Sequence, residues 1–115
     1  MKRTLLVLVA CFGLVVALSA CYRSPHPPAY DAIYRNFPSA QHNKAIAVAK
    51  CESGMNPRAV SPGGGNHGLF QINSVHKGMV QSMGYSWTRI YDPYVNAKVA
   101  RVLWNQSGWR PWGCA

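Results

Sequence analysis

Acidic residues are almost missing from this sequence. Its 115 residues hold three, Asp31, Glu52 and Asp92, against twelve Lys and Arg, so Glu52 is the one glutamate in the chain. This scarcity works against chemistry that needs a pair of carboxylates at one bond. Paired metal-ligand spacings are absent too, since His26, His42, His67 and His76 fit no helical ligand pattern, and no metal site or cofactor is expected. The glycine run Ser61-Pro-Gly-Gly-Gly-Asn-His-Gly68 lacks the Gly-Lys-Ser/Thr ending of a phosphate cradle and reads as a loop. No nucleic-acid motif accompanies the positive charge, so nucleic acid is not the expected partner. A long apolar run is also lacking outside the N-terminus, where Leu5 to Ala20 is shorter than the roughly 20 residues a membrane span prefers.

That N-terminal run follows the basic start Met1-Lys-Arg3 and ends in small residues, the pattern of an export signal over residues 1–20. Its end, Leu18-Ser-Ala-Cys21, resembles the bacterial lipobox. The resemblance implies that Cys21 is lipidated and becomes the new N-terminus, so the exported protein is expected to be held at a membrane surface of the cell envelope. A plain secretory signal is the alternative. With Cys11 removed and Cys21 lipidated, Cys51 and Cys114 remain as one pair in an oxidising compartment, and a disulfide between them is expected. Loss of Lys2 and Arg3 leaves ten cations against three acids, a net charge of +7 that favours a polyanionic partner such as a cell-wall polymer or an anionic lipid.

Along the exported chain, residues 21–36 begin with the proline-rich Tyr22-Arg-Ser-Pro-His-Pro-Pro-Ala29 and read as a lipidated spacer, with one small domain over residues 37–115. Ser39 is positioned to cap a helix through Glu52, which Gly54 stops. Counting back three, four and seven positions from Glu52 reaches Ala49, Val48 and Ala45, so its carboxylate shares the apolar face. Asp92 caps a second helix with Pro93 in its first turn; Val95, Val99, Val102 and Gln106 form one face and Lys98, Arg101 and Asn105 the other. Residues 74–91 read as helix followed by loop. Helices dominate, and no hairpin is evident.

A glutamate on an apolar face at a helix C-terminus meets two conditions that disfavour its anion, desolvation and the negative end of the helix dipole. An acid that keeps its proton can donate it to the leaving oxygen of a glycosidic bond. The alternative is that Glu52 pairs with Lys50, Arg58 or another cation. Nothing places a histidine beside Cys51 as its base, so a cysteine nucleophile has little support.

Glu52-Ser53-Gly54, then Asn56-Pro57, Ala59, Ser61, the glycine-rich loop, Gly68-Leu-Phe-Gln-Ile72 and Asp92-Pro93 with Asn96, resemble the soluble lytic transglycosylase branch of the lysozyme-like superfamily over roughly residues 37 to 107. The resemblance implies a mainly α, lysozyme-like domain with a glycan-binding groove. It further implies a peptidoglycan-cleaving enzyme acting on the β-1,4 bond between N-acetylmuramic acid and N-acetylglucosamine, with Glu52 as its single acid/base. Ser53, Gly68, Leu69, Phe70 and Gln71 match the segment lining the groove, with Phe70 and Gln71 expected to contact sugar. The family's later Ala-Tyr-Asn-x-Gly segment is replaced by Leu103-Trp-Asn-Gln-Ser-Gly-Trp-Arg-Pro-Trp112, so Tyr91 and Tyr94 become candidates for substrate contact. Trp104, Trp109 and Trp112 read either as sugar platforms or as core and lid packing.

Ordinary glycosidases use two carboxylates. Asp31 falls near the spacer and Asp92 at a helix cap, which favours a one-carboxylate transglycosylation by a monomer on glycan strands. Hydrolysis of the muramidase type is the nearest alternative, and a non-catalytic wall-binding or inhibitory lipoprotein of the same fold is another.

Overall fold

The structure, a computed structural model, describes residues 23–115. Among the described residues, four α-helices carry the fold: α1 Pro28–Asn36, α2 His42–Ser53, α3 Lys77–Ser82 and α4 Pro93–Ser107. Short 3₁₀ turns at Ser39–Gln41, Ser74–His76 and Trp87–Tyr91 connect them. Two two-residue strands, β1 Asn66–His67 and β2 Ile72–Asn73, pair antiparallel with Asn66 opposite Asn73 and His67 opposite Ile72. Val60 adds a bridge to His67.

The first helix corrects the spacer reading for residues 28–36. Pro28 sits in the first turn, where a missing N–H removes no helical bond. Ala29, Ala32 and Ile33 then recur at helical spacing and are buried, with α1 lying along α4. Ala97 and Ala100 of α4 are fully buried, and Tyr94, on the same helix, reaches α1 at Asp31. Arg101 fastens the end of α1 by donating to the Asn36 carbonyl at 2.6 Å.

Three local expectations also change. Ser39 makes no side-chain cap; it opens a 3₁₀ turn, and α2 begins at His42. The buried face of α4 is Val95, Asn96, Ala97, Val99, Ala100 and Leu103, while Val102 is half-buried and Gln106 exposed. A small hairpin is present where none was expected. Asp92 does cap α4, its Oδ1 accepting the Tyr94 N–H at 2.9 Å.

Phe37, at the end of α1, gathers the aromatic part of the core. Its ring stacks on Trp109 at 5.3 Å and meets Phe70 and Trp104 at 5.6 and 6.1 Å between centroids. Trp112 closes the set against Phe70 and Trp109 and is itself buried. The C-terminal tryptophans therefore pack as core, and they carry residues 109–114 back across the end of α2. There Cys51 and Cys114 form the disulfide, with Cα atoms 5.9 Å apart.

Candidate active site

Glu52 stands at the solvent end of the buried stripe Ala45, Val48 and Ala49, one residue before α2 stops. Gly54 ends the helix in the left-handed conformation (φ 63°), its N–H returning to the Lys50 carbonyl at 2.9 Å. The Glu52 side chain is half-buried, and its Oε1 accepts one long hydrogen bond, from the Cys114 N–H at 3.4 Å. The two ion pairs among the described residues, Arg35–Asp31 and Arg89–Asp92, leave Glu52 out. Pairing with Lys50 or Arg58 is therefore not what holds this carboxylate.

The next residue supports the wall of the site. Ser53 Oγ donates to the Leu69 carbonyl at 2.6 Å, with the Ala49 carbonyl a second acceptor at 3.0 Å. Asn96, fully buried on α4, takes the Phe70 N–H on its Oδ1 (2.8 Å) and donates Nδ2 to the His67 and Ile90 carbonyls at 3.0 and 2.9 Å. Trp112 Nε1 donates to the Phe70 carbonyl at 2.9 Å. Helix α2, helix α4 and the C-terminal segment thus each grip the 67–71 backbone with one side chain. Gly68 makes this possible: its φ is +79°, and an added Cβ would lie 2.7 Å from the Ile90 carbonyl oxygen and collide with the Asn96 amide.

Several expected sugar contacts are corrected by this geometry. Leu69 and Phe70 are both 0% exposed, so their side chains build the wall from behind and offer no surface to a glycan. Gly68 is buried and Ser53 is committed to the wall. Gln71, with φ 52°, sends its Nε2 to the Ala59 and Gly68 carbonyls at 3.1 Å each. It nevertheless borders a narrow cleft of about 160 Å³, shared with Asn66, Ile72, Asn73, His76, Leu103, Pro111 and Trp112. Glu52 does not itself line this cleft; the link between them is the short run from Trp112, on the cleft's border, to Cys114, whose N–H meets Glu52.

Asn66, Asn73 and His76 were not singled out in the sequence as site residues, whereas Trp112 was, as a possible sugar platform. Asn73 Nδ2 donates to Asn66 Oδ1 at 3.0 Å while its own Oδ1 accepts the Val75 N–H at 3.0 Å. Asn66 is left with amide N–H groups that have no partner among the described residues, on the side of the hairpin that faces the cleft. The signal was the spacing of two asparagines at either end of the Gly-Leu-Phe-Gln turn, hidden because the loop reading denied the hairpin.

Tyr91 and Tyr94 lie elsewhere. Tyr91 Oη is 2.8 Å from His67 Nδ1, and Tyr91 shares an open cleft of about 320 Å³ with Arg58 and Val60. Paired residues of a hairpin share a face and successive residues alternate. His67 and Val60 therefore face away from Asn66 and Asn73, and Tyr91 belongs to the reverse side. Tyr94 donates its hydroxyl to Asp31 Oδ2 at 2.8 Å, a bond between α4 and α1.

That bond is one of three on Asp31, which also accepts from Ser24 Oγ at 2.8 Å and Arg35 Nε at 2.7 Å. The Ser24 hydrogen bond, outweighing partial desolvation and reinforced by Tyr94 and Arg35, holds the Asp31 carboxyl below its ordinary pKa of 3.8. The same contact with Asp31, together with desolvation, raises the Tyr94 phenol above its ordinary 10.0. Asp92 is occupied by the α4 cap and Arg89. No group of three or more His, Cys, Asp or Glu that could hold a metal occurs among the described residues.

One half-buried, under-partnered carboxylate is equipped for proton donation and return. The profile of a family described as a lysozyme-like domain matches residues 31–114, which span both the Glu52 helix and the Trp112 segment. Searches of curated proteins and of solved structures returned no match. With most of its length matched, this chain belongs to the lysozyme-like domain family, whose members act on peptidoglycan.

Proposed function

We propose that the protein is a peptidoglycan lytic transglycosylase that cleaves the β-1,4 bond from N-acetylmuramic acid to N-acetylglucosamine with Glu52 as its one acid/base. The observation that carries this reading is the division of labour among the carboxylates. Asp31 and Asp92 are saturated by donors and cations, and Glu52 alone holds a single long contact.

Glu52 protonates the glycosidic oxygen as the bond to C1 breaks, and the departing sugar leaves with that proton. The resulting carboxylate takes the proton of the muramyl C6 hydroxyl, whose oxygen bonds to C1 and closes a 1,6-anhydro ring. Glu52 ends protonated again, and no water is consumed. A second carboxylate is not required, because the nucleophile comes from the substrate. Asn66 and Gln71, at the cleft that Trp112 borders, are the groups available to orient the sugar beside the bond.

Residues 1–22, including Cys21, lie outside the described residues. The proposal includes lipid on Cys21, which would hold the enzyme at the envelope membrane next to its polymeric substrate. It predicts that Cys21→Ser protein leaves the membrane fraction; unchanged processing and fractionation would remove the anchor from the proposal.

The decisive experiment is digestion of purified peptidoglycan followed by mass analysis of the muropeptides. Products ending in anhydromuramic acid, which resist borohydride reduction, are expected. Reducible ends would make the enzyme a muramidase-type hydrolase, and undigested wall would make it a binding protein.

A further inference from the structure

The reverse face of the hairpin carries a second opening, bordered by Arg58, Val60 and Tyr91. Its three side chains offer three different contacts. Arg58 is exposed, and its guanidinium has no hydrogen bond or ion pair among the described residues. Val60 is 51% exposed, unusual for a valine at a sheet bridge. Tyr91 is half-buried, with its hydroxyl against His67 Nδ1.

We infer that this cleft is a binding site for a carboxylate flanked by a small aliphatic group, namely the C-terminus of a short peptide ending in alanine. Arg58 supplies a planar fork of N–H donors that matches a carboxylate's two oxygens. With the His67 tautomer that carries its proton on Nδ1, histidine donates to Tyr91, and the tyrosine O–H is free to donate to the same carboxylate. Val60 covers the adjacent methyl group and removes its apolar surface from water.

A polyanionic phosphate chain fits the cleft less well. It calls for a row of cations, whereas Arg58 is the one cationic residue that borders this cleft. One unpaired guanidinium matches one carboxylate. This inference rests on the proposed substrate, because the peptides of peptidoglycan bring such carboxylates to the enzyme. Arg58, Val60 and Tyr91 do not border the cleft that holds Asn66 and Asn73, so a peptide held here leaves that cleft open to a glycan strand.

The test uses full-length protein, with a ¹⁵N-labelled sample titrated with acetyl-D-Ala-D-Ala and, separately, with its C-terminal amide and with inorganic phosphate. Saturable shifts at Arg58, Val60 and Tyr91 with the acid are expected, with about tenfold weaker binding of the amide and of the acid by Arg58→Gln protein. Tyr91→Phe should weaken binding to a smaller degree. Equal response to acid and amide, a stronger response to phosphate, or shifts centred on Asn66 and Trp112 would each overturn the inference. Glu52→Gln protein should bind the peptide as the unaltered chain does. A wall-inactive protein that still binds the acid through Arg58 would sink the proposed reaction and leave this site standing, while active protein indifferent to Arg58→Gln would do the reverse.

Discussion

Asp31 and Glu52 are both carboxylates set where a helix meets the core, yet the molecule treats them in opposite ways. Around Asp31, on α1, a serine, a tyrosine and an arginine converge within 2.8 Å. Around Glu52, at the end of α2, one backbone N–H stands at 3.4 Å and no cation among the described residues pairs with it. Ten Lys and Arg follow residue 22, so a lack of cations does not explain the difference. A carboxylate whose lone pairs are filled stabilises the fold; one left with open lone pairs is available to a substrate proton.

The comparison breaks most sharply if Glu52→Gln leaves cleavage intact. General acid–base catalysis contributes roughly 10²–10⁴ in rate, so the variant should lose at least about 10²-fold of its muropeptide release. Its melting temperature should stay within about a degree or two, because a half-buried side chain with one long bond holds little of the fold. Asp31→Asn should give the mirror result, with cleavage retained and stability lowered.

The next largest effect concerns the tie between the two regions of chain that meet at Glu52. Cys51→Ser removes a crosslink spanning 63 residues, worth about 4 kcal/mol in the chain-entropy account. Denaturant unfolding of oxidised protein beside the variant checks the value. Asn96→Ala should follow at about 2–3 kcal/mol, since it orphans the Phe70 N–H and two carbonyls in the core. Because those groups shape the wall beside Glu52, the variant's residual folded fraction should also cleave more slowly.

The smallest effect sharpens the other half of the comparison. The pKa of Asp31 is lower in the folded protein than in the unfolded chain, so its contribution is complete above the ordinary carboxylate value. It is lost as pH falls through that value toward the folded one. Thermal melts from about pH 5 to about pH 3 should show a decline that Asp31→Asn reduces. A parallel decline in both proteins would mean that the three contacts do not favour the anion.

Where local chemistry acts alone, the sequence was readable. Asp92-Pro93 opens α4, Gly54 closes α2, and the apolar spacing behind Glu52 holds in the fold. The disulfide pair was legible because the expected signal and lipobox account for Cys11 and Cys21 and leave Cys51 and Cys114. Helix α1 was obscured by Pro27 and Pro28, which signal a spacer unless Ala29, Ala32 and Ile33 find a partner far along the chain. The inner face of α4 was misjudged for a related reason. Small alanines lie there with a buried asparagine that meets the Gly68 turn, so hydrophobicity points at Val102 instead. Likewise, two-residue strands are too short for alternation to appear, and with them went Asn66, Asn73 and the two faces of the hairpin.

The bond between Cys51 and Cys114 also has a topological meaning. It makes residues 51–114 one covalent ring, from which α1 and most of α2 extend as a tail. The exposed turn Pro62-Gly63-Gly64 lies on that ring. A protease that cuts this turn opens the ring without dividing the molecule, and the segment that touches Glu52 stays tethered beside it until the sulfurs are reduced.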